Sequence, residues 1–101
     1  MNSAHASNAS AIGNLAPDEL RQRLSIVPEG RLLAEIVCSV YWGGSKGITL
    51  QQVELLSDSN WLLAAQIMRY RRSSSWSEAQ FHAIAYWCRD YYQLSQWAQE
   101  E

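Results

Sequence analysis

Basic excess, histidine, cysteine and long apolar runs are all scarce in these 101 residues, and each shortage closes a route to function. Eight Lys and Arg stand against ten Asp and Glu, for a net charge of −2 and a pI near 5.6. Domains that grip phosphate backbones usually have a pI above about 9, so the overall balance argues against nucleic acid and leaves only a local patch to override it. The basic charge is nearly all arginine, with Lys46 as the lone lysine. Arginine forms bidentate pairs and stacks on rings, which suits partner surfaces.

Histidine is confined to His5 and His82. No nucleophile stands at a recognisable spacing from His82, and the carboxylates are scattered, so neither an enzyme nor a cofactor is expected. Cys38 and Cys88 form no CxxC pair and no Cys/His cluster, which excludes a zinc site. They are expected as two buried thiols, with a disulfide between them left open. No apolar run approaches the ~20 residues that span a bilayer, so no membrane partner is expected. Met1 to Pro17 has neither the basic start nor the apolar segment of a secretory leader, which makes the cytoplasm the expected location.

What is present is an ordinary globular mixture, 48% apolar and 18% charged, of a size for one domain. Residues 1–14 are small and polar and are expected to form a flexible tail, leaving 15–101 as a single helical domain. No stretch alternates with period two. The expected fold is therefore all-α: a compact bundle of four to five short helices behind a disordered N-terminal tail.

Local signals place the helices. Pro17 followed by Asp18 and Glu19 opens the first, with Leu20 and Leu24 on one face. Pro28 separates it from a second helix, Glu29 to about Trp42, whose apolar residues cover more than half its circumference. Gly43-Gly44-Ser45-Lys46-Gly47 stops that helix and offers amides and a cation that could hold an anion weakly. Thr49 and Gln52 form a capping box for a third helix. A fourth, from about Asn60 to Arg72, puts Trp61, Ala65 and Met68 on one face and Leu63, Ile67 and Tyr70 on the other, which predicts a central helix. Ser75 with Glu78 predicts the start of the fifth, running from about Trp76 to the C-terminus, with Phe81, Ile84, Trp87, Cys88, Tyr91 and Leu94 on its core arc.

Two functional readings follow. Five Trp and five Tyr exceed what so small a core can surround. Tyr86 and Trp97, opposite the core arc and accompanied by Arg89 and Gln93, have the composition of interface hot spots, and Tyr41 and Trp42 extend that surface. The leading expectation is a non-enzymatic protein–protein interaction module, an adaptor, subunit or regulator, whose partner is itself or another protein. The alternative is a helix-turn-helix DNA reader built on residues 48–72. Lys46, Asn60, Gln66, Arg69, Arg71 and Arg72 would then meet bases or phosphates. Against it stands the apolar N-terminal half of that second helix, where base-reading side chains belong.

Overall fold

Proline at the first helical position, where its missing N–H costs nothing, starts α1 (Pro17–Ile26) in the computed structural model, which describes residues 15–43, 47–73 and 76–99. Glu19 reaches back to accept from the Ala16 amide at 3.1 Å, and Leu20 and Leu24 are fully buried. The chain turns at Val27 to Glu29 and enters α2 (Gly30–Trp42). Gly30 stands where the end of α1, the start of α2 and Tyr92 converge. The Tyr92 hydroxyl donates to the Leu24 carbonyl, and a Cβ on residue 30 would overlap both oxygens.

α2 is the central helix, meeting α1 and the two long later helices (Asp58–Ser73 and Glu78–Tyr91), and it buries Leu33, Ala34, Ile36, Val37 and Cys38. α3 (Leu50–Glu54) is one short turn, closed by the expected box: the Gln52 amide donates to Thr49 Oγ1 and the Thr49 amide to Gln52 Oε1. α4 (Asp58–Ser73) follows, with Ser57 Oγ accepting from the Asn60 amide. α5 (Glu78–Tyr91) completes the all-α bundle, and a 3₁₀ turn (Ser95–Trp97) lies beyond it. No helix among the described residues is long and apolar enough to cross a membrane.

Three expectations are corrected. α4 is peripheral rather than central: Leu63, Ala64, Ile67 and Tyr70 face the core, while Trp61, Leu62 and Met68 are exposed. α5 starts at Glu78, because Ser77 with Gln80 forms the capping box two residues later than the Ser75–Glu78 pair, and Ser75 lies outside the described residues. α5 also stops at Tyr91 instead of continuing. Gln93 adopts a left-handed conformation (φ 52°), the Leu94 amide donates to Arg89 and the Gln93 amide to Asp90, a Schellman closure that reverses the chain. Leu94 and Trp97 then fold back into the core, whereas Tyr91, expected inside, is 53% exposed and stacks on Trp87.

The start of the described chain is fastened as firmly. The Leu15 amide donates to the Tyr70 hydroxyl (2.8 Å), and its carbonyl accepts from Trp76 Nε1 (2.9 Å). The tail expected over 1–14 and the anion loop around Lys46 lie outside the described residues.

Candidate protein-docking surface

The rings expected to reach a partner from α2 and α5 do come together, but they face one another. Tyr41 stacks on Phe81, and its hydroxyl shares a 2.6 Å hydrogen bond with His82 Nδ1. The His82 ring lies 4.2 Å from Tyr86, and Tyr86 lies 5.7 Å from Trp42. Arg89 covers this group, its guanidinium 4.4 Å from the Tyr86 centroid and 5.6 Å from Trp42. Arg71 caps the other side, 5.2 Å above Tyr41, and donates to Glu78 at 2.8 Å. Burial, reinforced by the Glu78 carboxylate, pushes the Tyr41 hydroxyl above its ordinary range, while the hydrogen bond from Arg71 holds Glu78 below the usual carboxylate range. The side chains of Tyr41, Trp42, His82, Tyr86 and Arg89 are half-buried and already engaged. Together they lock α2 to α5.

Trp97 is the clearest correction, being fully buried. Its expected outward position assumed an unbroken helix, and the turn at Gln93 removes that assumption. Arg89 donates to the Trp97 carbonyl and Arg31 to the Tyr92 carbonyl, holding the turn against the body. Gln93 itself serves the backbone reversal.

The residues assigned to nucleic acid divide in the same way. Asn60 is buried, and its side chain donates to Glu29 Oε1 at 2.7 Å, beside the Ser57 amide at 2.9 Å. Those donors hold the Glu29 carboxyl below its ordinary value, the Asn60 side chain contributing most. This tie joins the α1–α2 turn to the start of α4, and sequence reading missed it because its partners are 31 positions apart. Gln66 is half-buried, with Oε1 sealed from solvent and unpartnered among the described residues. Arg71 is engaged with Glu78 and Tyr41. Only Arg69 and Arg72 point outward from the described part of that set.

They point outward on the face of α4 turned away from the core. At 100° per residue, Met68, Trp61, Arg72, Ala65, Asp58, Arg69 and Leu62 fall within an arc of about 120°, opposite the arc of Tyr70, Leu63, Ile67, Asn60 and Ala64. Trp61 is 47% exposed, Leu62 62% and Met68 41%. Ala65, Met68, Arg69, Arg72 and Ser73 line a shallow groove of about 690 Å³ along this face. Sequence periodicity had grouped Trp61, Ala65 and Met68 correctly but could not say which side of the helix met the core.

Cys38 and Cys88 are free and buried. Burial pushes the Cys38 thiol up to about 12 and Cys88 well above its ordinary value, so neither supplies a thiolate. No group of His, Cys, Asp and Glu among the described residues is arranged to hold a metal ion. The chain matches no family model, no curated protein and no solved structure with which it was compared.

Proposed function

We propose that this chain is a small non-enzymatic protein–protein interaction module, an adaptor, subunit or regulator, that docks through the outer face of α4. The exposure of Trp61, Leu62 and Met68 on the outward arc of one helix carries the reading. Apolar surface left in water forgoes about 25 cal/mol per Å², and a contiguous stripe of it marks a site of association. Trp, Met and Arg are the residue types enriched at such sites, and all three stand here. Two free buried thiols suit a reducing compartment, in keeping with a cytoplasmic role that needs no cofactor.

The order α3, a three-residue turn, then α4 favours the helix-turn-helix alternative in layout. Its chemistry is less well supported. The outward N-terminal half of α4 offers Trp61 and Leu62 where base edges call for hydrogen-bonding groups, and Asn60 is turned inward.

The docking reading is tested by comparing proteins captured from native lysate by the tagged chain and by its Leu62→Glu/Met68→Glu variant. Both side chains are exposed, so helicity and melting temperature should hold while captured protein is lost. Identical capture by both forms would overturn the assignment to α4.

A further inference from the structure

We infer that the α4 face is covered by a second copy of this chain, in an antiparallel two-fold pair centred near Ala65; this rests on the docking reading above and names its partner. A two-fold interface brings one patch against its own reverse, so the patch must be complementary to itself read backwards. Reversing α4 about Ala65 sets Asp58 opposite Arg72 and Trp61 opposite Arg69, while Met68 of one copy flanks Trp61 of the other along one edge of the seam and Leu62 lies beside Arg69 along the other edge. The pairings are favourable: acid with base, ring with guanidinium, and apolar Met68 with apolar Trp61. The parallel arrangement would instead oppose Asp58 to Asp58 and Arg72 to Arg72.

Shape agrees with charge. Trp61 projects from one copy at the level of the other's groove, whose lining includes Ala65, Met68, Arg69 and Arg72, and the exchange occurs twice across the axis. Ala65, with its small side chain, allows the helices to approach where they cross. An unrelated partner would have to bring a matching set of acid, base and apolar groups. A second copy already has it.

The seam from Asp58 to Arg72 is about 21 Å long, a single helix face. Interfaces of that extent lie below the standard size of about 1,200–2,000 Å², so the pair should be weak and dependent on concentration. Sedimentation velocity from about 10 µM to about 1 mM should show the mass rising from 11.5 kDa toward twice that value. Leu62→Glu/Met68→Glu should abolish the rise. Asp58→Arg and Arg72→Asp should each weaken association about tenfold, because each sets like charges face to face at two symmetry-related positions. Mixed in equal amounts, these two variants should associate at least as well as the original chain, since every reversed charge then meets its opposite.

A single-chain mass across the whole range, or a mixture no better than its components, would overturn the inference. Should the chain stay monomeric while the Leu62→Glu/Met68→Glu variant still loses captured protein, the second copy falls and α4 docking stands. Should association persist in that variant, the inference fails because the pairing surface lies elsewhere.

Discussion

Trp97 and Trp61 stand at opposite extremes, the first with no exposed surface and the second 47% exposed, although both lie in segments the sequence makes amphipathic or apolar. The carboxy-terminal turn draws its rings inward, whereas α4 leaves a ring and two aliphatic side chains in water. Periodicity explains neither choice. Trp97 is buried because a left-handed residue at Gln93 ends α5 and returns the chain to the core. Trp61 is exposed because α4 offers two apolar faces and α2 covers only the one holding Leu63, Ala64 and Ile67. Which ring reaches a partner is thus set by where a helix stops and which face its neighbour takes, not by the number of rings.

The sharpest way to break this contrast is to truncate both tryptophans. Trp97→Ala should cost about 3–5 kcal/mol in urea unfolding, and Trp61→Ala less than about 1 kcal/mol in dilute monomer. Equal losses would erase the distinction between core and docking ring. Next in size is Gly30→Ala, expected to cost about 1–3 kcal/mol because the added methyl overlaps the Leu24 carbonyl and the Tyr92 hydroxyl where α1 meets the C-terminal segment. An unchanged melting midpoint would show that this junction is loose.

Gln93→Gly should raise stability by about 0.5–1 kcal/mol, since glycine takes the left-handed position without steric cost. A loss instead would mean that the Gln93 side chain contributes more than its backbone strain. The smallest effect is expected from acid, because the groups concerned are screened by solvent. Glu29 and Glu78 have folded-state pKa values below the ordinary 4.5. Their contribution is complete above that value and fades as pH falls through the lower folded values. Glu29→Gln should flatten the acid side of a melting-temperature profile, and an unaltered slope would remove Asn60 and Ser57 as its stabilising partners.

Much of the framework was legible because it is local. Pro17, the Thr49–Gln52 box and the glycines after Trp42 act within four residues of themselves, and the structure places α1, α3 and the end of α2 accordingly. The end of α5 was hidden because glutamine carries no signature for a left-handed turn. The ring cluster of Tyr41, Trp42, Tyr86 and Arg89 was grouped correctly but misjudged in direction, since a pattern along one helix does not show that Arg89 and His82 already occupy those rings. The tie between Glu29 and Asn60 depends on two helices meeting, which no window along the chain reveals.

Leu15 offers a practical consequence. Its amide and carbonyl are bonded to side chains at the end of α4 and just ahead of α5, so residue 15 is held at a fixed point of the body ahead of α1. A label placed at the exposed Ala16, next to that junction, would report from a point fixed to the body, which makes it a well-placed origin for distance measurements across the molecule.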